Sequence, residues 1–190
     1  MKLILFGGVQ GVGKSTLLHW LENQPKHRIT LLNPGELFRR YFYNEQVKTI
    51  EEIEELIVSE IEKMPSNSVL VAHWHYAVRQ PSKYIPQISF SRLKRIAESG
   101  KVEQIVLCLV EASVDSIYER RLIDHQTKKR EFSKSSIEEE IHIEEEFLAK
   151  YQILFSKILG SNRVTTTRIN NNDLGVAEST LHDLFGKLLS

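Results

Sequence analysis

An apolar run that passes through a glycine-rich turn into a second apolar run is the feature that most constrains the fold of this chain. Residues 2–6, KLILF, have the continuous apolar character of a buried β-strand, and residues 14–24, KSTLLHWLENQ, have the apolar spacing of a helix. The turn between them, from Gly8 to Ser15, fits the pattern G-x-x-x-x-G-K-[ST]. The chain is therefore predicted to begin with a strand, a tight turn and a helix.

The glycines of this turn predict that its backbone N–H groups curl around an anion. A glycine has no Cβ to obstruct that curl, and the helix that follows points its positive end at the same place. Lys14 then reaches the β- and γ-phosphates of a nucleoside triphosphate, and the Ser15 hydroxyl binds Mg²⁺. The residues expected to bind ATP are Gly8, Gly11, Val12, Gly13, Lys14, Ser15 and Thr16.

Apolar runs and helical patterns alternate along the rest of the chain. The runs predicted to be strands are 2–6, 27–33, 68–74, 102–110 and 163–170. Near-continuous apolar strands are typical of a parallel sheet that is covered on both faces, so an α/β fold with five parallel strands is predicted. Residues 76–90, which contain Pro81 and Pro86, are predicted to be a loop, and the acidic stretch 138–146 to be the solvated face of a long helix.

Length and charge limit the classes of protein to which the chain can belong. Its 190 residues, 41% of them hydrophobic, fit one compact domain over residues 1–190. The 25 Lys and Arg residues balance the 25 Asp and Glu residues, so neither a nucleic-acid partner nor a membrane partner is expected. The single cysteine, Cys108, cannot form an internal disulfide and no signal-peptide pattern is present, so a cytoplasmic localisation is expected.

A second candidate phosphate site follows the second predicted strand, in residues 33–42, NPGELFRRYF. Gly35 opens a predicted helix, Glu36 favours its first turn, and Arg39 and Arg40 follow. One interpretation is that these arginines bind the phosphate of an acceptor molecule. The alternative is an ordinary amphipathic helix with arginines on its surface. The guanine-recognising pattern N-K-x-D is absent from the sequence, which argues against a GTPase.

Four stretches of the sequence, in order over most of the chain, resemble adenylate kinases of the archaeal type. Residues 9–16, VQGVGKST, are similar to the phosphate loop of that family, V-P-G-V-G-K-T-T. Gly35, Glu36 and Arg39 match its S-T-G-D-M-L-R stretch. The matches in the third and fourth stretches are His75, Arg79, Pro81, Tyr84 and Pro86, and then Glu111, Ala112, Arg120 and Asp124.

The resemblance implies a P-loop NTPase fold, with the sheet in the strand order 2-3-1-4-5, helices on both faces and a small lid. It implies transfer of the γ-phosphoryl group from ATP to AMP with Mg²⁺, and possible homo-oligomers, since archaeal members are commonly trimers. Such transfer depends on positioning and positive charge more than on covalent chemistry by the protein.

The resemblance also implies roles for particular residues. The catalytic residues would be Lys14, Arg79 and Arg120. The acceptor would be bound by Gly35, Arg39 and Arg79, with helices at about 34–64, and the lid at about 124–135 would act through Arg120, Asp124 and Lys129, with Arg121 as a further candidate.

His73 departs from the family pattern, which has an acidic residue at the end of the third strand to help hold the water shell of Mg²⁺. An imidazole can take that outer-shell role only when it is neutral, and an ordinary histidine pKa near ~6.5 leaves a fraction charged at neutral pH. His73 and His75 also form an H-x-H pair that could hold a transition metal, although no third ligand is evident. The lid departs as well, with Ile123 and Thr127 where the relatives repeat arginines.

Three functions stay open on the sequence alone. The first is an adenylate kinase or a close nucleoside-monophosphate kinase. The second is a P-loop kinase for another small acceptor. The third is a nucleotide-binding protein or slow ATPase with a regulatory role. His73 and the altered lid favour the second and the third.

Overall fold

A parallel β-sheet forms the centre of the computed structural model, which describes residues 1–24, 29–125 and 133–189. The strands are β1 (Lys2–Gly7), β2 (Ile29–Leu32), β3 (Val69–His73), β4 (Val78–Gln80), β5 (Lys83–Ile85), β6 (Gln104–Glu111) and β7 (Val164–Asn170). The α-helices are α1 (Lys14–Glu22), α2 (Pro34–Phe38), α3 (Ile50–Lys63), α4 (Phe90–Glu98), α5 (Val114–His125), α6 (Lys134–Leu159) and α7 (Leu174–Leu189).

Five of these strands form the predicted parallel sheet, in the order β2-β3-β1-β6-β7. This order differs from the predicted 2-3-1-4-5 in its numbering only, because an additional hairpin, β4–β5, precedes the fourth strand of the sheet. The first strand lies at the centre, paired with β3 over Lys2–Phe6 and with β6 over Lys2–Gly7. The connections change direction at this strand, which is where open α/β sheets bind their ligands.

Alternate side chains of β1 point to opposite faces of the sheet and define two cores. On one face, Leu3 and Leu5 pack with apolar residues of α3, α4 and α6. On the other face, Ile4 and Phe6 pack with apolar residues of α1, α5 and α7. These four side chains are at most 1% exposed, so helices cover both faces of the sheet as predicted.

Two stretches differ from what the sequence predicts. Residues 76–90, predicted to be a loop, contain the antiparallel hairpin β4–β5, in which Arg79 pairs with Tyr84. Strands of three residues are too short to show a periodicity in the sequence. The helix predicted from Gly35 is an α-helix only to Phe38 and continues as a π-helical turn, Arg39–Asn44. Single π-helical turns are common at functional sites.

The ring of Tyr76 lies directly against the backbone of Gly7, where β1 ends. A Cβ on Gly7 would lie 2.6 Å from Cδ2 of this ring and closer still to Cε2. The Tyr76 hydroxyl is buried within hydrogen-bond distance of the carbonyl oxygens of Leu5, at 2.8 Å, and Cys108, at 3.1 Å. The missing side chain of Gly7 therefore makes room for the ring, and the ring positions the chain that leaves β3.

Replacing Gly7 with alanine is expected to destabilise the protein by about 1–3 kcal/mol, because the added methyl group must displace a fully buried ring. Urea unfolding measures this change. Gly186→Ala is the matched control: a Cβ there would meet nothing within 4 Å, and alanine favours the helix α7, so stability should rise by about 0.5–1 kcal/mol. Equal effects of the two substitutions would contradict the packing described for Gly7.

Candidate functional site

Two adjoining cavities open at the carboxyl ends of the strands of the main sheet. The first, the loop cavity, has a volume of about 420 Å³ and is lined by residues that include Gly11, Gly13, Lys14, Ser15, Arg39 and His73. The second, the hairpin cavity, has a volume of about 380 Å³ and is lined by residues that include Tyr43, Arg79, Tyr84, Arg121, Glu140 and Glu144. Val9, Gln10 and His75 line both cavities, so the two spaces meet at these residues.

The phosphate loop, Gly8–Gly13, has backbone angles that require its glycines. Gly8, Gly11 and Gly13 have φ values of 138°, 82° and 98°, in the region that residues with a Cβ rarely adopt. A Cβ on Gly8 would lie 2.5 Å from the carbonyl oxygen of Val110, and one on Gly13 would overlap the side-chain amide of Asn171. The loop therefore lies close against the ends of β6 and β7, and its glycines give it a curled shape.

Lys14 is folded back onto this loop. Its side chain is buried, and Nζ donates hydrogen bonds to the carbonyl oxygen of Val9, at 3.0 Å, and to that of Gly8. Ser15 and Thr16 lie in the first turn of α1, are exposed, and line the loop cavity. The ammonium group of Lys14 thus lies beside the space that the loop surrounds.

Adjacent arginines of α5 hold the outward-facing carbonyl groups of the phosphate loop. Arg120 donates to the carbonyl oxygens of Val12, at 3.0 Å, and Asn171, at 2.7 Å, and the Asn171 amide also donates to Val12, at 2.8 Å. Arg121 donates to the carbonyl oxygen of Gln10 at 2.8 and 3.0 Å. Both guanidinium groups therefore support the shape of the loop.

Arg121 also connects the phosphate loop to α6. It is almost fully buried, and its NH2 group lies 2.5 Å from Oε2 of Glu140. The sequence suggested Arg121 only as a further candidate for the lid, and nothing in its spacing indicates a buried ion pair with α6. Asp124, from the expected lid, lines the loop cavity, whereas Lys129 lies outside the described residues.

The two arginines expected at the acceptor lie in different cavities. Arg39 lines the loop cavity and Arg79 lines the hairpin cavity, and both residues are exposed. Neither guanidinium group makes an ion pair or a hydrogen bond to another residue in the described ranges. Gly35 lies in the first turn of α2, which the side chain of Asn33 caps, and it lines neither cavity.

His73 is the last residue of β3 and lies on the loop cavity beside Lys14 and Ser15, as its position in the sequence predicts. Burial lowers the pKa of His73, and together with the effects of Lys14, His75 and Arg39 it brings this pKa to about 3. His73 is therefore neutral at neutral pH. The partial charge that an ordinary histidine would carry there is absent, and the imidazole can accept a hydrogen bond from a metal-bound water.

Glu144 is a site residue that the sequence does not reveal. The acidic stretch 138–146 is predicted to be solvated, and this is wrong for Glu144, which is 4% exposed on α6. Its carboxylate accepts hydrogen bonds from the backbone N–H groups of Tyr76, at 2.8 Å, and Ala77. Burial raises the pKa of Glu144 to about 7, against the opposing effect of the positive charge on Lys14. The helical period places Glu144 among apolar inward positions, but it is one of six glutamates within nine residues, so the sequence reads as a solvated acidic stretch.

The imidazole of His75 lies beside Glu144, and His75 lines both cavities. Its Nδ1 is 3.5 Å from Oε1 of Glu144, and its ring centroid is 6.2 Å from that of His73. Among the residues that the structure describes, no group of three metal-ligating side chains occurs, so the H-x-H pair gains no third ligand. No helix in the described ranges combines the length and the apolar character needed to cross a membrane.

Known proteins resemble this chain in structure and not in sequence. No family model matches the sequence, and no curated protein is significantly similar to it. A gluconokinase from Sinorhizobium meliloti 1021 aligns over 98% of this chain and 94% of its own, with 13% identity and a TM-score of 0.47. An uncharacterized protein from Eubacterium ventriosum ATCC 27560 aligns over 97% and 98%, with 12% identity and a TM-score of 0.49.

A third structural comparison passes a TM-score of 0.5. A chain of the Pnkp1/Rnl/Hen1 RNA repair complex aligns over 78% of this chain and 45% of its own, with 17% identity and a TM-score of 0.52. At that identity the likeness shows a shared fold. Together with the strand order and the glycine-rich loop between β1 and α1, it defines this chain as a P-loop protein of the α/β class.

The burial of Glu144 has a measurable consequence for stability. Because its pKa is raised above the ordinary value of 4.5, the native state holds a proton that the unfolded state has lost between that value and about 7. Glu144 therefore lowers the free energy of unfolding as the pH rises through this range. The free energy of unfolding of Glu144→Gln, compared with that of the natural protein, is therefore expected to rise by on the order of 2 kcal/mol from pH 5 to pH 8.

Urea unfolding at a series of pH values measures this difference, and the exposed Glu146 of the same helix, changed to Gln, is the control. His73 has the opposite linkage: its lowered pKa makes stability fall as the pH drops below about 6.5. The comparison between variants cancels that contribution. If the difference in the free energy of unfolding between Glu144→Gln and the natural protein stays constant with pH, the raised pKa of the buried Glu144 is contradicted.

Proposed function

We propose that the protein is an ATP-dependent P-loop kinase that binds ATP in the loop cavity and a small phosphate acceptor in the hairpin cavity. The observation that supports this most is the junction of the two cavities at Val9, Gln10 and His75. A γ-phosphoryl group held by the phosphate loop would face an acceptor across that junction. In-line transfer needs this arrangement, with positive charge around it, more than it needs covalent chemistry.

The residues of the loop cavity have separate tasks in this proposal. Backbone N–H groups of the phosphate loop hold the phosphates of ATP, and Lys14 exchanges its carbonyl partners for the β- and γ-phosphates. Hydrogen bonds to charged groups contribute about 1.5–3 kcal/mol each, so several together hold a triphosphate. Arg39, which has no partner among the described residues, lies where it can neutralise the group in transfer.

The loop cavity also fits a magnesium ion that arrives with ATP. The Ser15 hydroxyl is exposed to the cavity, and the neutral imidazole of His73 lies beside it. A hydroxyl oxygen and phosphate oxygens suit Mg²⁺, which usually keeps several waters. Ser15 would bind the ion and His73 would accept a hydrogen bond from one of its waters, and the bound ion would supply positive charge to the phosphates.

AMP is the acceptor that the resemblance to adenylate kinases implies. Arg79 in the hairpin cavity and Arg39 in the loop cavity would then bind its phosphate from two sides. The helices at about 34–64 would form the acceptor region, and Arg120, Asp124 and Lys129 would close the lid at about 124–135. A second candidate, a kinase for a different small acceptor, is favoured by the pairing of His75 with Glu144.

Lys14→Ala is expected to weaken ATP binding about ten- to a hundredfold, because the change removes a buried ammonium group that would contact two phosphates. Isothermal titration with Mg-ATP measures the Kd. Lys94→Ala, an exposed lysine on α4 that pairs with Glu98, is the control and should bind ATP like the natural protein. Unchanged ATP affinity in the Lys14 variant would remove the basis of the proposal.

Arg79→Ala is expected to raise the KM for the acceptor at least tenfold while the KM for ATP changes by less than about twofold, because Arg79 lines only the hairpin cavity of the two. Coupled ADP release with AMP as the acceptor is the first assay. Arg163→Ala, a change in the 3₁₀ turn before β7, controls for loss of positive charge. An increase in the KM for ATP alone would place Arg79 on the donor instead.

A further inference from the structure

We propose that His75 accepts a proton from a hydroxyl group of the acceptor and that Glu144 positions it for this task. The acceptor is therefore a small hydroxyl compound that also carries an anionic group. This inference rests on the proposed function, because it concerns the group that receives the phosphoryl from ATP. It differs from AMP phosphorylation, in which the acceptor group is a phosphate.

The position of His75 is fixed from both sides of its backbone. The preceding residue, Trp74, is fully buried, and its backbone N–H group donates to the carbonyl oxygen of Phe6 at 2.9 Å. The N–H group of His75 donates to Oε1 of the buried Gln87 at 2.7 Å. The imidazole is therefore held at the junction of the two cavities, both of which it lines.

Glu144 sets which nitrogen of the ring carries the proton. Oε1 of Glu144 faces Nδ1 of His75 at 3.5 Å, while its Oε2 accepts a hydrogen bond from the N–H group of Tyr76 at 2.8 Å. A carboxylate beside Nδ1 favours the tautomer with its proton on that nitrogen. Nε2, on the other side of the ring, is then the proton acceptor for a ligand in the cavities. The same carboxylate stabilises the imidazolium that proton transfer creates.

The charged groups around the pair are compatible with this task. Lys14 faces both Glu144 and His73, and in the proposed complex its charge is directed to the phosphates. The other charged groups that line the hairpin cavity are Arg79, Arg121 and Glu140, and Arg121 and Glu140 form an ion pair with each other. Arg79 therefore remains to bind an anionic group of the acceptor, a carboxylate or a phosphate.

The chemistry decides the class of acceptor. A phosphate acceptor is already ionised at neutral pH, because its second pKa is about 6, and its oxygen needs no base. A hydroxyl oxygen must lose its proton as it attacks. In the proposed step the hydroxyl oxygen forms a bond to the γ-phosphorus, and the bond from that phosphorus to the β,γ-bridging oxygen breaks. The hydroxyl proton goes to Nε2 of His75, and ADP leaves with the bond electrons.

The test compares ADP release from Mg-ATP with four probes: water, AMP, glycerate and gluconate. Water is the smallest hydroxyl acceptor, so the test does not depend on knowing the natural substrate. The variants are His75→Asn, which keeps a polar group near Nδ1, His75→Gln, which places an amide near Nε2, and Glu144→Gln. His142→Asn and Glu146→Gln, both on exposed positions of α6, are the matched controls.

Both His75 variants are expected to lose about 100-fold in kcat with water and with any hydroxyl probe that is phosphorylated, while the Kd for Mg-ATP stays within twofold. Glu144→Gln should lower kcat less and leave KM unchanged, since it acts through His75. Two further variants, His75→Ala and Glu144→Ala, test chemical rescue. Added imidazole should restore part of the rate of the first and none of that of the second, which separates a proton acceptor from a structural residue. Circular dichroism checks that each variant is folded.

Two results overturn the inference and leave the proposed function intact. One is phosphorylation of AMP to ADP as the fastest reaction, at equal rates in the natural protein and both His75 variants. The other is a Lys14-dependent rate with water that the His75 variants retain within threefold. By contrast, ATP turnover that is the same in Lys14→Ala as in the natural protein would overturn the proposed function itself.

Discussion

The close approach of the phosphate loop to the ends of β6 and β7 is the constraint on which the rest of the site depends. A backbone that turns its N–H groups inward, towards an anion, turns carbonyl groups outward, and buried carbonyl groups need donors. Arg120, Arg121 and Asn171 supply those donors to Val12 and Gln10. The space for them exists because Gly11 and Gly13 have no side chains, so the glycines serve the outer surface of the loop as well as the anion.

Electrostatics at the centre of the site follow from burial. Beside the space that the loop surrounds lie the buried ammonium group of Lys14, the buried carboxyl group of Glu144 and the half-buried imidazole of His73. Burial disfavours every charged form, which makes His73 neutral and raises the pKa of Glu144. The positive charge of Lys14 favours the neutral form of His73 and the charged form of Glu144. Above a pH of about 7 the site therefore presents a neutral acceptor, His73, to metal-bound water and a carboxylate, Glu144, to His75 at the same time.

The helix α6 joins these features into one unit. Glu140 pairs with Arg121, which holds the phosphate loop, and Glu144, one turn further, contacts the backbone after β3 and faces His75. On the same helix, Phe147 and Tyr151 pack in the core on the other side of this contact. The helix that follows the expected lid thus contacts the junction of the cavities and the sheet, and it is connected to the donor loop through Arg121. A shift of α6 would act on all three.

The sequence by itself determined the central strand, the glycine turn, the first helix and the alternation that builds the sheet. These features depend on local backbone geometry and on periodic burial, which neighbouring residues express directly. It also placed His73 correctly, because a residue at the end of a parallel strand lies at the binding edge. The tertiary structure alone decided that Glu144, in a run of glutamates, is buried and that Arg120 and Arg121 hold the loop. Those roles depend on contacts between residues far apart in the chain, and the helical period that points Glu144 inward does not show which residues it meets there.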